Sequence, residues 1–198
     1  MKKTIQLSPV LLFGILSLNL LSCTDKNQST DIKPTADTLK KEDVVKQGEH
    51  LVMIMGCNDC HSPKQMGAQG PEIIADKMLS GYPADRPVIK FDTKSIKDGF
   101  SMFYPDLTAA AGPWGVSFAA NLTPDETGIG SWTEDQFRKA VTEGKLKGMD
   151  GSRQLLPPMP WTNYKALTND EVHSIFTYLK TLKPVRNIVP MPITPDKM

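Results

Sequence analysis

Residues 57–61 read Cys57-Asn58-Asp59-Cys60-His61, a C-x-x-C-H pattern inside the stretch GEHLVMIMGCNDCHSPK (residues 48–64). Two thiols at this spacing reach the two vinyl groups of a haem from one turn of chain, and the histidine that follows falls under the iron. Cys57 and Cys60 are therefore read as covalent haem attachment points and His61 as an axial ligand. A zinc site would need four ligands. The chain offers three cysteines and three histidines in all, with no second C-x-x-C and no H-x-x-x-H.

The third cysteine, Cys23, closes the segment Leu20-Leu21-Ser22-Cys23 after a positive start (Lys2, Lys3) and an apolar run from Pro9 to Leu21. That run is too short for a stable bilayer-spanning helix and reads as an export signal over 1–22, cut before a lipid-modified Cys23. Several acyl chains on one residue hold a protein at a membrane by about 0.8 kcal/mol per buried methylene. Residues 23–40 are polar and interrupted by Pro34, and read as a flexible tether with a reach of roughly 20–25 Å. Export thus coexists with no disulfide, since one cysteine goes to lipid and two to haem. The expected location is the periplasm or the outer face of a bacterial membrane.

Composition fits one globular unit, read as a domain over 41–190 with a short tail at 191–198: 39% of residues are apolar, and 23 basic against 22 acidic residues leave a net charge of +1. That balance excludes nucleic-acid binding by bulk charge. Helical spacing of Val44, Val45, Leu51, Val52 and Met55 predicts a helix over 42–55, and Gly48 within it signals a close helix–helix contact. Thr133-Glu134-Asp135-Gln136 and Thr168-Asn169-Asp170-Glu171 are capping boxes. The first opens a helix closed by Gly144, and the second a helix with the stripe Val172, Ile175, Phe176, Leu179, Leu182 that stops before Pro184. The first and last helices are expected to pack together. From Pro63 to Gly130 no long periodic segment occurs, and only Val88–Phe91 and Gly115–Phe118 read as short strands.

An electron carrier fills the sixth iron position, usually with methionine. Of ten methionines, Met159 stands out because Leu156-Pro157-Pro158-Met159-Pro160-Trp161 is stiffened by proline, which lowers the entropy lost in holding one side chain toward a metal. Met149 is the next candidate, and His173 falls on the polar side of the last helix. Trp132, Trp161 and Tyr164 are large amphipathic rings near these motifs, a position that suits core filling or contact with the haem. Trp132 is read as an indole N–H donor to a haem propionate, with Arg153 as a second propionate candidate.

These features together resemble the class I cytochromes c. The stretches GPEIIADKMLSGYP (70–83), ANLTPDETGIGSWTEDQFRKAVTEGK (120–145) and LPPMPWTNYKALTNDEVHSIFTYLKTLKPVRN (156–187) resemble in particular the mono- and dihaem variants of that family. The resemblance spans Gly48 to Pro190. It implies an all-α haem domain with a long coil and short-strand insertion, one covalent haem c, and a one-electron carrier rather than an enzyme. The implied partners are a dehydrogenase, an oxidase or another cytochrome. It also implies that the carbonyl of Pro71 orients the proximal histidine. Many relatives carry two or three attachment motifs where this chain has one, which suits a shuttle or terminal module. Of a different class, a haem-based sensor or small-ligand-binding protein would carry the same attachment motif with a labile or absent distal methionine.

Overall fold

The computed structural model describes residues 40–88 and 90–198. The signal, Cys23 and nearly all of the tether lie outside them. Helix α1 (Lys41–Ile54) leads directly into the short α2 (Cys57–His61). Helices α4 (Glu134–Glu143) and α5 (Asn169–Thr181) each begin with a complete capping box, at Thr133 with Gln136 and at Thr168 with Glu171. α4 ends at Gly144 in the left-handed conformation. These ends follow the sequence pattern because each cap satisfies backbone N–H groups that a helix start leaves unpaired.

α1 lies against α5. A Cβ placed on Gly48 would overlap the Ser174 carbonyl oxygen and sit 2.7 Å from Tyr178 Cβ, so only glycine permits this approach. Leu51 and Val52 of α1 then join Leu79, Ile129, Phe137, Val141, Val172, Ile175, Tyr178 and Leu179 in the main core. No helix of the described residues is long and apolar enough to cross a membrane.

The region after the haem motif holds short strands, as expected, and they assemble into two sheets. Strands β1 (Lys64–Gly67) and β2 (Gly70–Ile73) form one antiparallel hairpin. After a short helix α3 (Thr93–Lys97), strands β3 (Met102–Phe103), β4 (Ala109–Gly112) and β5 (Gly115–Phe118) form a three-stranded antiparallel sheet in that order. The all-α expectation is corrected to this extent: the frame around the motif is helical, and two small sheets are added to it. Strands β1 to β4 escape a periodicity search because each is at most four residues long and the apolar members of β4 are alanines. Gly115–Phe118 is a strand as expected. Val88, Lys90 and Phe91 belong to none. Residues 191–198, expected as a tail, lie on the sheet: Ile193 exchanges backbone hydrogen bonds of 2.8 and 3.0 Å with Val116 on the free edge of β5, and Met198 packs near Ile96 and Val116.

Polar groups lock this region together. Asp106, 5% exposed, takes a 2.8 Å ion pair from Arg86 and a 2.7 Å bond from the Thr108 hydroxyl. The Arg86 guanidinium lies 4.6 Å from the ring centre of Tyr104 and 5.2 Å from that of Tyr82. Burial by itself raises the Asp106 carboxyl, but bonds from Arg86 and Thr108 with the guanidinium charge outweigh it, and the group titrates below its ordinary range. Asn187 donates to the carbonyls of Ser80 (2.7 Å) and Tyr82 (2.9 Å) and accepts from the Ala84 N–H at 2.8 Å.

Candidate haem site

A cavity of about 420 Å³ opens between the helical frame and the three-stranded sheet, well within the size range of cofactor sites. Cys57, Cys60 and His61 line it from α2, and Met159 lines it from the proline loop with Pro158 and Pro160. Phe137, Val141, Ile175 and Leu179 supply an apolar wall from the helices. Leu107, Thr108, Ala109, Ala110, Phe118, Ala119 and Ala120 supply another from the sheet and its continuation.

His61 is fixed by its backbone surroundings. Its Nδ1 is 2.7 Å from the Ala120 carbonyl oxygen, which leaves Nε2 as the nitrogen available to a metal. Burial lowers the imidazole's proton affinity, and the Ala120 bond partly restores it. The Ala120 carbonyl is itself held in place. Gly81 N–H donates to the His61 carbonyl at 2.7 Å, Tyr82 N–H to Ala119 at 3.0 Å and Leu122 N–H to Leu79 at 2.8 Å. Gly81 adopts φ of +80°, and a Cβ there would meet the Ala120 carbonyl carbon at 2.6 Å. Pro71, expected as the acceptor, sits instead in β2 opposite Met66, exposed to solvent. Its Gly-Pro pair serves the β1–β2 hairpin, and the acceptor role has passed to a residue 59 positions from the histidine.

Lys64 secures the other end of the motif. Its ammonium donates to the carbonyls of Asp59 (2.6 Å), Ser62 (3.1 Å), Asn58 (3.3 Å) and Asp106 (3.1 Å). A cation at the C-terminal carbonyls of a helix opposes the partial negative charge collected there. Ser62, fully buried, donates to Asn58 at 2.8 Å and accepts from the Leu79 N–H at 2.8 Å. Burial pushes the Cys57 thiol up to about 11, and raises Cys60 as well. Both sulfurs thus sit where burial disfavours a charge, a setting suited to a neutral thioether.

Of the other residues singled out by sequence, Trp132, Arg153 and Tyr164 line the cavity. The Trp132 indole N–H has no hydrogen-bond partner among the described residues, and Arg153 commits only Nη1, to the Gln154 carbonyl at 2.8 Å. The Tyr164 hydroxyl donates to the Met55 carbonyl at 3.0 Å, joining the turn after the proline loop to the end of α1. Trp161 is outside the lining. It covers Gly144, where a Cβ would overlap its ring, and carries Lys165 Nζ 4.9 Å from the ring centre. Met149 is exposed and away from the cavity, while His173 pairs with Glu134 at 2.9 Å on the surface. Met55, just before the motif, is a second methionine of the lining.

The donor set fits haem: two thiols and a tautomer-fixed imidazole on one turn, broad apolar walls for a macrocycle, and an indole and a guanidinium with donors to spare for carboxylates. Comparison with known proteins agrees. The cytochrome c family profile matches residues 45–183, and the chain belongs to the cytochrome c family. It carries covalently bound haem c, with Cys57-x-x-Cys60-His61 as the attachment motif. It is 42% identical over 79 residues to the fructose dehydrogenase cytochrome subunit of Gluconobacter japonicus, covering 39% of this chain and 16% of that one. Identity is 28% over 144 residues to the gluconate 2-dehydrogenase cytochrome c subunit of Pantoea cypripedii, covering 72% and 24%. To the cytochrome c subunit of the quinone alcohol dehydrogenase of Gluconobacter oxydans it is 25% over 146 residues, covering 73% and 23%. The chain thus matches no more than about a quarter of the length of these relatives.

Proposed function

We propose that this protein is an exported, lipid-anchored carrier of single electrons with one haem, held between His61 and Met159, that accepts electrons from a dehydrogenase and passes them to a further acceptor. Bound haem c supplies a reversible one-electron couple. The chain's own residues bind it through Cys57 and Cys60, orient His61 through the Ala120 carbonyl, and exclude water with the facing apolar walls. Trp132 and Arg153 take the propionates. Met159 and His61 would hold the iron, and a methionine sulfur there would favour the reduced state, raise the potential and keep substrates from binding. The observation that carries the reading is one cavity lined by both the C-x-x-C-H turn and the methionine of the proline loop.

The dehydrogenase partner is supported by the three relatives, each a cytochrome subunit of a dehydrogenase. Lipid anchoring rests on Leu20-Leu21-Ser22-Cys23 and the polar stretch that follows. The reading is tested on detergent-extracted protein by pyridine haemochrome assay, intact mass and carbon monoxide titration. One haem per chain, an acylated Cys23 as first residue and no carbon monoxide adduct are expected. Two haems or an unacylated terminus would remove the corresponding element, and ready carbon monoxide binding would replace the carrier by a sensor or small-ligand-binding protein.

A further inference from the structure

The proline loop has a difficulty of its own making. Pro157, Pro158 and Pro160 stiffen it but carry no N–H, and the Met159 N–H is used locally, toward the Leu156 carbonyl at 3.3 Å. Stiffness alone does not decide where the loop stands relative to the cavity. Among the described residues, one long-range hydrogen bond reaches residues 156–160: the Ser117 hydroxyl donates to the Pro157 carbonyl at 2.6 Å.

Ser117 is built for this. It is 9% exposed and sits on β5, paired on one side with β4 (Ala110 opposite Ser117) and on the other with Ile193. Both edges of the strand around it are in use, so its Cβ is fixed by backbone hydrogen bonds. Its oxygen lies 3.3 Å from the Trp114 indole nitrogen and 3.3 Å from the Ala110 carbonyl. A hydroxyl has one proton, and the 2.6 Å partner takes it. The indole N–H donates into a lone pair of the same oxygen, which strengthens the outgoing bond.

We infer that Ser117, supported by Trp114, is a positioning residue for Met159: the three-stranded sheet registers the proline loop so that the methionine stays over the cavity. This rests on the assignment of Met159 as distal ligand. It gives the sheet between the haem motif and the loop a role beyond lining the cavity.

The test uses the full-length holoprotein and the variants Ser117→Ala and Ser117→Thr. A net hydrogen bond of ordinary strength corresponds to a factor of roughly two to ten in the population it holds. In ferric Ser117→Ala the rate of cyanide binding, limited by departure of the methionine, should rise by about that factor. The weak thioether-to-iron band at the red edge of the visible should disappear at lower pH than in the parent. Ser117→Thr, which keeps the hydroxyl, should restore both, with haem content and far-ultraviolet circular dichroism the same in all three. Unchanged cyanide rate and band in Ser117→Ala, while Met159→Ala abolishes the band, would overturn the positioning role alone. Equal loss in the alanine and threonine variants would also overturn it, as a packing effect. A parent band that survives Met159→Ala would overturn the ligand assignment and the inference with it.

Discussion

The two walls of the haem cavity are held by different forces. On the helical side, α1 and α5 bury Val52, Val172, Ile175 and Leu179, each worth about 1.5–3 kcal/mol when fully removed from water. On the sheet side the buried residues of β4 are Ala109, Ala110 and Ala111, each offering one methyl, of order 0.8 kcal/mol. Small side chains leave room for a broad ligand, but supply little cohesion. That side is held instead by polar side chains: Asp106 paired with the side chains of Arg86 and Thr108, and Lys64 on the motif's carbonyls, Asn187 on the backbone of 80–84 and Ser117 on the Pro157 carbonyl. Each contributes about 0.5–1.5 kcal/mol net, more where a charge takes part. One wall is a stability device, and the other sets the positions of particular atoms.

Substitutions should separate the two accordingly. The largest effect is expected at Gly48→Val, where the new Cβ would overlap the Ser174 carbonyl. Backbone on a facing helix cannot yield as a side chain can, so destabilisation of about 3 kcal/mol or more is expected, read by urea unfolding followed by circular dichroism. A neutral result would mean that α1 does not depend on this contact. Next, Asp106→Asn strands Arg86, whose side chain is 19% exposed, and should cost about 2–4 kcal/mol, somewhat under a fully buried pair. The folded pKa of Asp106 is depressed. Its contribution is therefore complete above the unfolded value of about 3.9 and lost as pH falls through the folded one. The variant should accordingly lose stability at neutral pH and show a shallower decline below about pH 4, checked by thermal melts across that range.

Gly81→Ala acts on position more than on stability. The added methyl meets the Ala120 peptide, and moving that carbonyl loosens the His61 bond. A loss of about 1–3 kcal/mol is expected, accompanied by a change in proximal-ligand resonances in the paramagnetic proton spectrum. Gly48→Val should leave those resonances intact in whatever fraction folds. The smallest effect belongs to Thr168→Ala, which removes the capping box of α5 and should cost about 1 kcal/mol with no change in the haem spectrum.

The same contrast explains what the sequence disclosed. The C-x-x-C-H turn, both capping boxes and the close approach at Gly48 are legible, because covalent chemistry, helix caps and apolar stripes act through side-chain type and spacing. The sheet side acts through backbone groups and short strands, which leave little pattern. Ala120 contributes a carbonyl that any residue would carry, so nothing at that position marks it, and Pro71 enters only through the family resemblance. Ser117 and Lys64 depend on partners 40 and 42 residues away. Trp161 looked like a cofactor contact by its place beside the proline loop, yet packs on Gly144 at the end of α4.

The central claim, an iron held between His61 and Met159, is tested most directly by comparing ferric holoprotein variants at the two methionines that line the cavity and at an exposed one. Met159→Ala should abolish the thioether charge-transfer band, admit carbon monoxide to the ferrous form and lower the midpoint potential markedly, since axial ligand identity commands up to about 0.8 V across haem proteins. Met55→Ala and Met149→Ala should keep the band. Loss of the band in Met55→Ala with retention in Met159→Ala would contradict the account.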